Sequence, residues 1–167
     1  MSTFLIPIDN NFFNNIIKIK FNNILVGLNN YPNFTLMSSL NNKEDVFIDF
    51  ILKVFELNNH VCYIDFYISQ LREKDIKNLI NLTPEEDKDI LINNINIKND
   101  SVYYKVDNQK LIPFLVRLST REIFFITFYF NKIPITIWGN YNMEFPCFFE
   151  NEKDMNFYKN LWSNFNE

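Results

Sequence analysis

Residues 122–149, EIFFITFYFNKIPITIWGNYNMEFPCFF, decide most of the fold. Residues 122–130 form a predicted strand. After Glu122 its side chains are apolar on both faces, which is typical of a central strand covered on both sides. A turn at Asn131-Lys132 leads into a second apolar run at 135–138. A turn at Gly139-Asn140 then leads into a third apolar run at 144–149. The sequence therefore predicts an antiparallel β-meander in the second half of the chain.

Helices are predicted where apolar residues recur at helical spacing. The predicted helices span residues 44–57, 71–82, 83–95 and 152–165. The third has the strongest start signal, because Thr83-Pro84-Glu85-Glu86 matches a capping box with Thr83 at the N-cap and Pro84 at the first helical position.

The other segments complete an α+β domain. Further strands are predicted at 17–21, 24–27, 61–68, 102–106 and 111–118, and a loop at 29–42. The first two would form a hairpin, and Pro113 would place the last at an edge or bulge. We expect one domain over residues 1–167, with a mainly antiparallel sheet and three to four packed helices.

The scarcest residue types exclude most cofactor chemistry. Two glycines, Gly27 and Gly139, cannot form a phosphate-binding loop. One histidine, His60, and two separated cysteines, Cys62 and Cys147, cannot build a zinc site. We therefore expect no cofactor, no metal and no enzymatic activity.

Charge and hydropathy exclude other classes of partner and favour a cytoplasmic protein. The net charge of −4, without a basic stripe, disfavours nucleic acid. No apolar run reaches the roughly 18 residues of a membrane span. The apolar surroundings of both cysteines suit reduced, buried thiols in the cytoplasm.

Carboxylate chemistry stays open as an alternative. Asp65 and Glu122 each interrupt a predicted strand that is otherwise apolar, so they are the candidates for general acid–base catalysis. The competing interpretation places each carboxylate at a strand end, or in an ion pair with Arg117 or Arg121.

An acidic stretch is the main candidate for a binding surface. Residues 84–100 contain five acids and two lysines, which accounts for most of the net negative charge. The acids are Glu85, Glu86, Asp87, Asp89 and Asp100. They could interact with a helix dipole, or they could steer a basic partner. Trp138 and Tyr141, beside a Gly-Asn turn, could add binding hot spots or form the rim of the core.

The general profile resembles the small immunity proteins of bacterial contact-dependent growth inhibition and related polymorphic toxin systems. The features that match are the missing catalytic motif, the Asn-, Ile- and Phe-rich composition, the acidic stretch over residues 85–89 and the single domain. The resemblance implies a non-enzymatic inhibitor that binds a cognate toxin, commonly a basic nuclease, in a one-to-one complex.

Two other functions fit the same sequence. One is a small carboxylate-based or metal-dependent hydrolase that uses Asp65 and Glu122 in one cleft. The other is a structural or regulatory subunit whose aromatic surface is covered in an oligomer, although the sequence favours a monomer.

Overall fold

The computed structural model describes residues 4–40, 43–96 and 99–166. Within these ranges the strands are β1 (Ile6–Ile8), β2 (Asn33–Leu36), β3 (Cys62–Asp65), β4 (Tyr103–Val106), β5 (Thr127–Phe130), β6 (Ile135–Trp138) and β7 (Phe145–Phe148). The α-helices are α1 (Asn10–Ile16), α2 (Ile24–Asn30), α3 (Lys43–Leu57), α4 (Glu73–Leu82), α5 (Glu85–Ile95), α6 (Leu111–Thr120) and α7 (Glu152–Phe165).

All seven strands join one antiparallel sheet in the order β1-β4-β3-β5-β6-β7-β2. Strands β5, β6 and β7 are the predicted meander, and Phe128 pairs with Ile137 across its first turn. The central strand begins at Thr127 rather than near residue 122, because the preceding residues end α6 and form a turn. The sheet therefore confirms the predicted class and the predicted meander.

The main core lies between one face of the sheet and helices α3 to α7. Alternation along β5 sends Phe128 and Phe130 into this core, while Thr127 and Tyr129 face the other side. On α3, the fully buried residues are Phe47, Phe50, Ile51 and Val54. The amphipathic pattern that predicted α3 is therefore the pattern that packs it.

The N-terminal segment covers the opposite face of the sheet with a thinner layer. Phe13 of α1 stacks on Tyr103 with ring centroids 3.7 Å apart. Ile19 is buried, and its carbonyl accepts a hydrogen bond of 2.6 Å from the Thr136 hydroxyl. The sheet is thus enclosed on both faces, as the apolar central strand requires.

The predicted hairpin over residues 17–27 is wrong. Ile17 and Ile19 alternate with polar residues because both are buried in the bent segment between α1 and α2, not because they pair with a neighbouring strand. Residues 24–27 belong to α2, whose start is capped by the Asn23 side chain accepting from the Leu25 amide at 2.8 Å. The predicted loop at 29–42 is wrong in part, because residues 29–30 end α2 and Asn33–Leu36 form β2. Its last two residues, 41–42, lie outside the described residues.

The strand predicted at 111–118 is helix α6. Pro113 occupies the first turn of this helix, where its missing N–H removes no intrahelical hydrogen bond. The capping box is also wrong, because the Thr83 hydroxyl donates to the Leu79 carbonyl at 2.8 Å and so caps the end of α4. Pro84 precedes α5 without a side-chain cap.

Candidate functional site

The acidic residues of α5 point in two directions. Asp87 lies on the buried side of the helix with Leu91 and Asn94, at positions i, i+4 and i+7. Glu85, Glu86 and Asp89 are exposed. We call these three residues the α5 acidic face.

Asp87 forms a buried ion pair with Arg117 of α6. The Asp87 side chain is only 1% exposed, and its two oxygens accept from Arg117 Nε and Nη2, both at 2.6 Å. These hydrogen bonds raise the pKa of the Arg117 guanidinium. Such a bidentate pair fixes one helix against another. Asp87, predicted as a partner-binding residue, is therefore excluded from the exposed acidic surface.

A second ion pair joins α3 to the end of α6. Arg121 donates to both oxygens of Glu44 at 2.9 and 2.7 Å, and the Thr120 hydroxyl donates to the same carboxylate at 2.8 Å. The hydrogen bond from Arg121 is the main reason that the pKa of Glu44 is lowered. Arg117 and Arg121 thus pair with Asp87 and Glu44, so the proposed pairing of either arginine with Asp65 or Glu122 is wrong.

The α5 acidic face keeps its charge available to solvent. The Glu85 side chain is 86% exposed even though it accepts from Lys88 at 2.6 Å. Glu86 is 59% exposed and lies 3.9 Å from Arg121. Exposed pairs of this kind contribute about 0–1 kcal/mol, so they hold these carboxylates only weakly.

Tyr141 lies next to the same end of α6 as Glu86. It is exposed and packs edge-on against Phe125 with ring centroids 4.7 Å apart. Its turn is held to the residues that follow α6, because the Glu122 carboxylate accepts from the Asn142 amide at 2.8 Å. Since Arg121 reaches Glu86, the acidic face and the exposed tyrosine flank one helix end.

The remaining predicted binding residues lie elsewhere. Trp138 is only partly exposed, because its ring stacks on Phe21 with centroids 5.5 Å apart and an interplanar angle of 13°. Asp100 is exposed in the segment before β4 and lines a cleft with Asp9 and Asn10, at the start of α1. Neither residue extends the α5 acidic face.

Asp65 is buried on the sheet face that the N-terminal layer covers. Its carboxylate accepts from the Thr127 amide at 2.8 Å and from the Tyr129 hydroxyl at 3.3 Å. Burial raises its pKa to about 6, against the lowering effect of these hydrogen bonds. Burial and the Asp65 charge together raise the pKa of Tyr67 to about 12 and also raise that of Tyr103.

Sequence reasoning missed these tyrosines as a group. The signal was the alternation along β3 and β5, which sends Tyr63, Asp65, Thr127 and Tyr129 to one face. Tyr103 and Tyr129 also line a cleft of about 460 Å³, together with N-terminal residues that include Lys20 and Tyr31. Asp65 itself does not line this cleft.

The two carboxylates of the hydrolase alternative have separate environments. Asp65 is buried against β5, whereas Glu122 is exposed in the turn after α6 and holds the Asn142 amide. No hydrogen bond or shared partner links them among the residues that the structure describes. In the same part of the chain, no group of three or more His, Cys, Asp and Glu could hold a metal ion.

Neither cysteine is placed for nucleophilic chemistry. Cys62 and Cys147 are both free and buried, and burial raises the pKa of each thiol. His60, two residues from Cys62, is exposed and packs edge-on against Phe55. A thiol that stays protonated is a poor nucleophile.

The described residues form a single α+β domain. A comparison of the chain with family models, with curated proteins and with solved structures finds no match. In the residues described, no helix is both long and apolar enough to cross a bilayer.

Proposed function

We propose that this chain is a non-enzymatic binding protein, specifically an immunity protein that neutralises a cognate protein toxin by one-to-one docking. The observation that carries the proposal is the α5 acidic face. One acid of the helix, Asp87, forms an internal ion pair with Arg117, while Glu85, Glu86 and Asp89 project into solvent. Exposed acids on a rigid helix suit a basic partner, such as a nuclease domain.

The ion pairs behind α5 prepare this face for binding. Asp87 and Arg117 lock α5 to α6, and Glu44 and Arg121 lock α6 to α3. A face that is already fixed loses little conformational entropy when it binds. The carboxylates would attract the toxin at long range, and exposed Tyr141 would supply apolar contact area.

The proposal places the protein in the cytoplasm, bound to neither nucleic acid nor membrane. The supporting observation is the state of the two cysteines, which are free and buried. Reduced thiols of this kind are typical of cytoplasmic proteins. The toxin would be met after it enters the cell.

A binding and protection experiment tests the proposal. The full chain is mixed with the toxin domain encoded immediately upstream, and cells expressing that toxin are scored for survival with and without the chain. We expect a one-to-one complex and rescued growth. Absence of both would refute the proposed function.

A charge-reversal pair tests the surface. Glu85→Lys with Asp89→Lys should weaken the complex and reduce protection, because both side chains are exposed on α5. Glu150→Lys with Glu152→Lys is the matched control, since it makes the same charge change at two exposed acids outside α5. Equal losses in both pairs would mean that only net charge matters, and the α5 acidic face would not be the interface.

A further inference from the structure

Strand β2 is an uncharged edge of the sheet. In the part of the chain that the structure describes, β2 pairs only with β7 and ends the strand order. From Phe21 to Asn42 the sequence contains no Asp, Glu, Lys or Arg, although charged residues make up 22% of the chain. An edge strand without charge is a template for pairing with another strand.

The register of β2 shows which backbone groups face outward. The Phe149 amide donates to the Pro32 carbonyl at 3.0 Å, so residue 32 is bonded to the β7 side. Hydrogen bonding alternates along an antiparallel pair, which directs Phe34 and Leu36 toward β7 and directs Asn33 and Thr35 to the free edge. The pairing of Thr35 with Pro146 agrees, because proline has no N–H to exchange.

The opposite edge of the sheet is protected and β2 is not. Strand β1 has Pro7 at its centre and Asp9 directly after it. Proline and charge are the devices by which natural edges avoid pairing. Pro32, which directly precedes β2, is bonded through its carbonyl to the β7 side, so it leaves the outer edge open.

Apolar side chains flank the open edge. Leu28 and Met37 are exposed. Leu28 lies beside the strand, since the Asn33 side chain donates to the Leu28 carbonyl at 3.2 Å, and Met37 directly follows it. A neutral, partly apolar edge offers no charge to attract a basic or acidic partner, but it is complementary to itself.

We propose that β2 pairs antiparallel with β2 of a second copy of this chain. Asn33 would exchange backbone hydrogen bonds with the partner's Thr35, Thr35 would do the same with the partner's Asn33, and Phe34 would face its own copy across the two-fold axis. This register uses the outward N–H and C=O groups on both strands. The inference does not depend on the α5 acidic face, so either proposal can fail alone, and a dimer still offers one such face per copy.

Thr35→Pro tests the register. It removes an outward N–H that the β7 ladder does not use, and proline is tolerated at an edge strand. Thr35→Val is the matched control, because it changes the side chain and keeps the N–H. Sedimentation equilibrium of the full chain, from micromolar to submillimolar concentration, measures the dimer constant of each variant.

We expect a concentration-dependent dimer in the unmodified chain, roughly tenfold or more weakened by Thr35→Pro and little changed by Thr35→Val. Amide hydrogen exchange should slow at Asn33 and Thr35 as the protein concentration rises. A monomer at every concentration would overturn the proposal and leave this edge to a strand of another protein. A dimer that Thr35→Pro does not weaken, with both amides still exchanging fast, would also overturn it.

Discussion

The Asp87–Arg117 pair gives the sharpest stability prediction. Arg117→Met should leave a carboxylate that is 1% exposed without its partner. Breaking a buried ion pair from one side costs about 3–5 kcal/mol, and because Arg117 is 19% exposed we expect about 3 kcal/mol. Asp87→Leu should cost less, about 2 kcal/mol, because the remaining guanidinium reaches solvent.

The double variant separates pairing from packing. Asp87→Leu with Arg117→Met removes both charges, so neither partner is left as an unpaired charge. We expect a loss of about 2 kcal/mol, so the coupling energy of the double-mutant cycle is about 3 kcal/mol. The double variant should therefore be more stable than Arg117→Met alone.

Urea unfolding followed by circular dichroism measures all four proteins. Free energies of unfolding come from linear extrapolation, with a check that the denaturant slope stays constant. The control cycle replaces the exposed pair Glu85 and Lys88 on the same helix, where the coupling should be about 0.5 kcal/mol or less. A coupling below about 0.5 kcal/mol for Asp87 and Arg117 would refute the anchoring role of this pair.

Three further predictions concern Asp65, Gly27 and the two cysteines. Because burial raises the folded pKa of Asp65 to about 6, its stabilising contribution is complete below its ordinary value of 3.8 and is lost as the pH rises through 6. We therefore compare the free energy of unfolding of the unmodified chain with that of Asp65→Asn. The difference should fall by about 2–3 kcal/mol from about pH 4 to pH 7, and a difference that does not change with pH would contradict the burial of Asp65. Gly27→Ala would place a Cβ 2.6 Å from the Phe21 ring, so a melting experiment should show a loss of about 1 kcal/mol, whereas an unchanged melting temperature would mean that the ring moves away freely. Cys62 and Cys147 should react with Ellman's reagent only after unfolding, and fast labelling of the native protein would show that they are accessible.

The elements that sequence patterns predicted are those with one polar and one apolar side, or with clear turns. Helices α3 and α7 have amphipathic faces, and both lie close to the predicted ranges. The meander has turn residues between its apolar runs, and it also matches. In each case the local pattern and the final burial agree.

The failures come from segments whose burial depends on distant parts of the chain. Helix α6 is buried on nearly every side, so its sequence has no polar face to distinguish it from a strand, and Pro113 added a misleading breaker signal. Residues 17–19 alternate like a strand but lie in the bent segment between α1 and α2, where Ile17 and Ile19 are buried. Periodicity reports which side chains are buried, not what buries them.

The candidate site was also predicted only in part from the sequence. Composition located the acids of α5 but treated Asp87 like its neighbours. The spacing of Asp87, Leu91 and Asn94 on one helical stripe was the available signal that Asp87 faces inward. Its partner Arg117 could not be identified, because the segment that carries it was predicted as a strand.

The central claim is that the α5 acidic face steers a basic partner to the protein. The most direct test is the stopped-flow association rate with the toxin domain encoded immediately upstream. The unmodified chain is compared with Glu85→Lys plus Asp89→Lys and with the control Glu150→Lys plus Glu152→Lys. At low ionic strength we expect the α5 pair to associate roughly tenfold more slowly than the control, with the difference largely lost at about 1 M salt. Equal association rates for the two charge-reversed proteins at low salt would contradict the claim.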